Sequence, residues 1–337
     1  MLNPSNPYAL NGLSFVHKYL GEYEKALFFI KKAVLYMDKE MSPVIYTDMG
    51  NLHSLLGDYE MALKAYEQYE SLAEGNRSSW FEDNLAECNL RTGRIEAAAE
   101  IYEHTYAKDK WVRFEKLTGL YNASGQEEKA RRILEQWKKE LKVEFSGNVW
   151  KTLFAAGVGK KQKKGSYPAY YNCLGWTELL FGDGTAALKA FDKMLQNGSG
   201  ADSMEGKICD AVFACILCGD NKRGKKYAGK LQEWLKKEKS SGGIGYYNRG
   251  KGHLQIEFLA AYYTEADGVL QEILDREKST EICHFCTCPL CKEMEGARVL
   301  YLLRTGQREE AEKIVRRNLE MQPWDEYMLA IKHILFH

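Results

Sequence analysis

The residues best suited to chemistry are four cysteines packed into nine positions, Cys283-His284-Phe285-Cys286-Thr287-Cys288-Pro289-Leu290-Cys291. They form two C-x-x-C pairs with one residue between them. Four thiolates this close repel one another and oxidise readily unless a cation neutralises them, which zinc or an iron-sulfur cluster would do. One structural zinc on Cys283, Cys286, Cys288 and Cys291, with His284 able to replace one of them, is one reading. Reduced thiols without metal and a redox role are the others, because most four-cysteine zinc sites draw their pairs from well-separated segments. Four protein ligands close the coordination sphere and leave no place for a catalytic water, so a metal here would be structural and would fix the start of the next helix.

The remaining candidates for chemistry are weaker. Cys215 and Cys218 form a further C-x-x-C, but within the apolar helical phrase Val212 to Gly219, where core packing is expected. Gly245-Tyr-Tyr-Asn-Arg-Gly250-Lys251-Gly252 matches a phosphate loop up to its last position, where Gly stands in place of the Ser or Thr that binds magnesium. No strand is expected before it, and a linker is the better account. There is no G-x-S-x-G, no H-E-x-x-H and no G-x-G-x-x-G after a strand. His17 and His53 recur at equivalent places and are expected to pack between helices. The chain is therefore not expected to be an enzyme.

A recurring phrase governs the elements that hold these residues. It consists of a glycine, a large residue two later, an alanine five later and a bulky residue nine later. The first three copies are Gly21, Tyr23, Ala26, Ile30; Gly57, Tyr59, Ala62, Tyr66; and Gly93, Ile95, Ala98, Tyr102, stepping by 36 residues. Further copies begin at Gly125, Gly182, Gly219 and Gly306, and the stretch from about Gly242 to Thr280 lacks a clear one. A period in the thirties marks stacked helical hairpins. The glycine ends one helix by taking a left-handed backbone. The alanine then lets the second helix approach, and the bulky residue is expected to fill the space between neighbouring hairpins. A single hairpin cannot bury its own apolar faces, so copies must stack.

The segment Tyr46-Thr-Asp-Met-Gly50-Asn-Leu-His-Ser-Leu-Leu-Gly57-Asp-Tyr59-Glu-Met-Ala62-Leu-Lys-Ala-Tyr66 resembles the tetratricopeptide repeat family. The resemblance implies an all-α fold, a tetratricopeptide-type helical-hairpin solenoid wound as a right-handed superhelix of about seven to eight hairpins, some degenerate. The expected organisation is an N-terminal repeat lobe over 1–145, an irregular linker over 146–168 and a degenerate C-terminal lobe over 169–337. The linker is suggested by glycines and the run Lys160, Lys161, Lys163, Lys164, with no apolar period. Leu2-Asn3-Pro4 resembles the tail of a preceding repeat, and Trp324 to Phe336 reads as a final helix covering the last hairpin.

In this family the first helix of each hairpin lines the concave groove. Aligned on the glycines, the implied groove positions are Asn11, Phe15, Thr47, Asn51, Ser54, Asp83, Glu87, Glu115 and Asn122. Paired Lys and Asn grip a peptide carboxylate in some members, but Asn11, Phe15 and Asp48 stand there in this chain, so that clamp is not expected. The polar, somewhat acidic set suits a basic or neutral polypeptide.

Composition agrees with this reading. Lys plus Arg and Asp plus Glu number 47 each, which leaves no net field to attract nucleic acid or an anionic membrane. The first ten residues lack a basic and apolar leader, and the odd cysteine count favours a reducing compartment, so a cytoplasmic protein is expected. The expected function is a protein- or peptide-binding scaffold, with a peptide, metal or redox sensor using the cysteine loop as the alternative. Oligomeric state is not legible.

Overall fold

The computed structural model describes residues 5–37, 43–73, 78–146, 158–197, 204–240, 251–276 and 294–336, with backbone alone for 143–146, 158–166, 238–240 and 251–253. Among the described residues there are seventeen helices and no strand. The chain divides into two compact units, one built on residues 1–105 and the other on most of the chain from Tyr106 onward.

The first unit holds three hairpins: α1 (Pro7–Tyr19) with α2 (Tyr23–Leu35), α3 (Val44–Leu55) with α4 (Tyr59–Leu72), and α5 (Ser79–Arg91) with α6 (Ile95–Thr105). The second holds α7 (Lys110–Ala123) with α8 (Glu127–Ser146), α9 (Val158–Phe181) with α10 (Gly184–Asn197), α11 (Met204–Leu217) with α12 (Asn221–Ser240), then α13 (Lys251–Ala261), α14 (Asp267–Asp275), α15 (Glu295–Arg304) with α16 (Arg308–Met321), and a last helix α17 (Glu326–Leu335). The fold is all-α and of the tetratricopeptide hairpin type. The two helices of each hairpin pack on one another and on a neighbouring helix, as stacked hairpins require.

The turn glycines behave as the phrase predicts at six of its seven copies. Gly57 has φ 80°, its N–H donates to the Ser54 carbonyl, and the Asp58 N–H donates to the His53 carbonyl at 2.9 Å. That pair of bonds is a Schellman stop, and it recurs at Gly21, Gly93, Gly125, Gly219 and Gly306. Gly182 is the exception: its φ is not left-handed, and its N–H continues the helix by donating to Glu178. There Asp183 starts the next helix by accepting from the Ala186 N–H at 2.8 Å.

Close contact inside a hairpin comes from a position that the phrase omits. Seven residues before the turn glycine stands Gly50, and a Cβ there would overlap the ring of Tyr66. At the equivalent place Gly175 faces Phe191, whose Cζ would lie 2.7 Å from such a Cβ. Of the other five copies, Ser14 with Ile30, Ala86 with Tyr102 and Thr118 with Leu134 also set a smaller residue against a larger one, Val212 with Ala228 reverses the sizes, and Val299 with Val315 pairs two of middle size; all ten residues are buried. Tyr66 thus packs within its own hairpin, and it also meets Phe81 of α5 edge-on at 5.4 Å.

The linker expected over 146–168 is described from residue 158, where it is already helical in α9. Residues 147–157 lie outside the described residues. A single core spans the helices on either side, with Phe114, Leu134, Trp137 and Leu141 packed on Ala169, Tyr170 and Cys173. The degenerate stretch contributes α13 and α14, which Arg276 ties together through Glu257.

Candidate interaction surface

The first helices of the hairpins carry the nine expected groove residues, seven in the first unit and two in the second. In the first unit Phe15 is 40% exposed, whereas Thr47, Asn51 and Ser54 are buried. Asn51 Oδ1 accepts from Tyr66 Oη at 2.7 Å and from Asn84 Nδ2 at 3.2 Å, so it ties α3 to α4 and to the next hairpin. Asp83 and Glu87 are half-buried on α5. Glu87 accepts from Arg91 Nε at 2.7 Å, so much of its charge is already answered. Asn11 is half-buried on α1. Lys18 and Asp48, which the alignment does not single out as groove lining, attract one another across α1 and α3: burial lowers the Lys18 pKa and raises that of Asp48, and each charge partly opposes the other's shift.

In the second unit Asn122 is buried and accepts from Thr177 Oγ1 at 3.0 Å, joining α7 to α9. Glu115 is half-buried and paired with Lys207 of α11 at 3.4 Å. The polar character expected of these positions is present, but its acidity is offset by Arg91 and Lys207. Asn51 and Asn122 work as clasps between helices.

The same face of the second unit carries an occupant. Helix α17 packs on α16, as expected of a final covering helix, and it also packs on α7, α9 and α11, the first helices of their hairpins. Tyr327 packs edge-on against both Trp176 and Phe213, with ring centroids 4.9 and 4.7 Å away, and those two rings stack on each other at 6.0 Å. Its hydroxyl donates to Asp210 Oδ1 at 2.7 Å, and Asn172 Nδ2 donates to Asp210 Oδ2 at 3.1 Å. Asp210 as a residue is half-buried, while its carboxylate is enclosed by these groups. Desolvation raises its pKa above the ordinary 3.8, against the pull of Tyr327, Trp176, Asn172 and Lys207. No motif marks Asp210 in the sequence; only the path of α17 reveals it.

The family model described as Tetratricopeptide repeat matches residues 44–76, the α3–α4 hairpin with Gly57 at its turn. The chain contains a tetratricopeptide repeat. Among solved structures, it is similar to the C-terminal part of a TPR repeat-containing protein from Cytophaga hutchinsonii, at 16% identity over 90% of this chain and 98% of that one, with a TM-score of 0.40. It is also similar to a tetratricopeptide repeat protein from Parabacteroides merdae, at 12% identity over 88% and 99% with a TM-score of 0.38, and to PilW, a type IV pilus biogenesis factor, at 14% over 67% and 92% with 0.40. No curated protein sequence matches the chain.

In the tetratricopeptide hairpins the two recurring histidines bridge the glycine turn. His17 Nδ1 lies 2.5 Å from Glu22 and stacks on Phe29 at 5.0 Å, while His53 is buried with Nδ1 3.2 Å from Asp58. Both pairs join the fourth residue before the glycine to the first after it, which makes them part of the repeat's architecture. The helical thiols are also architectural. Burial pushes Cys215 up to about 12 and Cys218 up to about 11, and Cys173 and Cys209 well above the ordinary thiol value. Cys218 sits where Gly184 leaves room for its sulfur. Cys283, Cys286, Cys288 and Cys291 lie outside the described residues, as does the phosphate-loop near miss up to Gly250. Among the described residues no group of three His, Cys, Asp or Glu is placed to hold a metal. No described helix is long and apolar enough to cross a membrane.

Proposed function

We propose that the chain is a scaffold that holds a protein or peptide on the face formed by the first helices of its hairpins. The observation that carries this reading is α17, an amphipathic helix packed on α7, α9 and α11, with Tyr327 against Trp176 and Phe213 and with Met328 and Ile331 also buried. Met328 is 2% exposed and Ile331 fully buried. Burying an apolar side chain of this size is worth about 1.5–3 kcal/mol, so a few such contacts suffice to hold a helix. The face combines aromatic walls with a few fixed polar groups, the arrangement by which folded proteins orient a bound segment. In the first unit the corresponding face offers Phe15, Asp83 and Glu87, with Arg91 and Lys18 balancing the acids, which favours a near-neutral polypeptide over a strongly basic one.

Selection of a displayed peptide library on the whole chain tests this. Enriched peptides should lose at least about tenfold in affinity when Asp83 and Glu87 are both changed to Lys. They should be indifferent to Lys at Glu96 and Glu100, which are exposed on the second helix of the same hairpin. Failure to enrich any peptide, or equal sensitivity to both pairs of changes, would reject the first-helix face as the binding surface. The sensor alternative rests on Cys283 to Cys291 alone.

A further inference from the structure

We infer that α17 is a built-in, displaceable ligand of the second unit, and that the site it fills accepts from a partner an amphipathic helix bearing a tyrosine in the place of Tyr327. The inference rests on the scaffold reading and narrows it to one site and one ligand class.

Without α17, the place of the Tyr327 ring is a niche beside the stacked rings of Trp176 and Phe213, with the Asp210 carboxylate within reach of the hydroxyl. That combination selects an aromatic ring ending in a donor, and a phenol meets both requirements. On the same turn of helix Met328 and Ile331 are buried with the tyrosine, the spacing at which a helix presents apolar side chains to a groove. The internal ligand leaves one demand unmet. Asn172 Oδ1 is buried and has no hydrogen-bond partner, while the amide nitrogen of the same side chain is held by Asp210. A partner helix that supplied one more donor there would satisfy a group that α17 does not.

The attachment of α17 is that of a tethered segment. Its far end is held by Arg308, which donates to the Leu335 carbonyl and lies 5.0 Å from the Phe336 ring, and its near end comes directly after the turn at Gln322 to Asp325. A tether of this length keeps α17 at a high effective concentration, so an outside helix competes at a disadvantage until α17 is released.

The test uses the full chain and a labelled peptide of residues 323–337. A Met328→Lys, Ile331→Lys double variant weakens the seating of α17 without altering the niche. It should bind the peptide at least about tenfold tighter than the unaltered chain, and adding Asp210→Ala should return the affinity to the unaltered level. Amide exchange in the unaltered chain should show α17 opening at least about a hundredfold faster than α9. A double variant that loses helicity throughout the chain, or α17 amides that exchange in step with α9, would make α17 part of the core and overturn the inference. If the folded double variant binds library-selected peptides but not the 323–337 peptide, the internal-ligand idea fails while the scaffold reading stands. If it binds neither, both fall.

Discussion

Tyr327 and Asp210 lie 117 positions apart in the chain, yet the phenol donates to the carboxylate at 2.7 Å while its ring packs on Trp176 and Phe213. The bond joins the last helix to α11 and sets a polar contact amid apolar ones. An enclosed carboxylate is costly unless its oxygens are engaged, and here Tyr327 and Asn172 engage them.

Removing the hydroxyl should therefore cost more than an exposed hydrogen bond would. Tyr327→Phe keeps the ring against Trp176 and Phe213 and is expected to lower the unfolding free energy by about 1–3 kcal/mol, read by urea denaturation. The effect of Asp210→Asn depends on pH. Because the Asp210 pKa is raised, the unfolded chain gives up this proton first, and the group's favourable contribution, full below the ordinary 3.8, is lost as pH rises through the raised value. Asp210→Asn should gain stability relative to the unaltered chain between acid and neutral pH. A constant difference across that range would contradict the assignment.

The glycines at Gly50 and Gly175 invite a comparison with one that has free space. Alanine in a helix interior is favoured over glycine by about 1 kcal/mol, but a Cβ at either site overlaps an aromatic ring, and overpacking costs about 1–3 kcal/mol. Gly50→Ala and Gly175→Ala should destabilise. Gly119→Ala on α7, where a Cβ meets nothing within 4 Å, should stabilise by about 0.5–1 kcal/mol. Combining Gly50→Ala with Tyr66→Leu should cost less than the two changes separately, since the shortened side chain leaves room for the methyl.

The same pair shows what the sequence could reveal. Turn glycines repeat with alanines and bulky residues at fixed offsets, and a left-handed stop needs glycine whatever surrounds it, so Gly21, Gly57 and Gly93 were legible without structure. The position seven residues earlier is Gly, Ser, Ala, Thr or Val depending on what faces it. A rule about summed volume leaves no fixed residue to find. Asn51 and Asn122 were identified by alignment as groove lining and proved to be buried clasps, because alignment gives a helix face but not what lies against it. Asp210 was missed for the opposite reason: its partners Asn172 and Tyr327 come from helices 38 and 117 positions away.

His53 gives the first unit an acid limit. Burial, reinforced by Lys31, lowers its pKa below the ordinary 6.5 despite the attraction of Asp58. The unfolded chain therefore takes up the proton first as pH falls, so the contribution of the neutral ring is full above about 6.5 and declines below it. Thermal melts from pH 7.5 to 5 should show falling stability that His53→Gln makes shallower. Parallel profiles for the two proteins would remove His53 as the cause.

The cysteines should separate into two chemical classes. Thiolate is the reactive form, and burial holds Cys215 at about 12 and Cys218 at about 11, with Cys173 and Cys209 also raised, so these four should resist iodoacetamide at pH 8 until denaturant is added. Cys283, Cys286, Cys288 and Cys291 carry the opposite expectation, which rests on their spacing alone: four sulfurs in nine residues invite a cation that would hold them as thiolates. Elemental analysis of chain purified under reducing conditions without chelator should find about one zinc per chain, lost in a Cys283→Ser, Cys286→Ser variant. Chelation should then expose four rapidly alkylated thiols. Metal-free protein whose four loop cysteines react at once would exclude the zinc and leave reversible oxidation of the C-x-x-C pairs as the chemistry to measure. Zinc that persists in the double variant would place the metal on other residues.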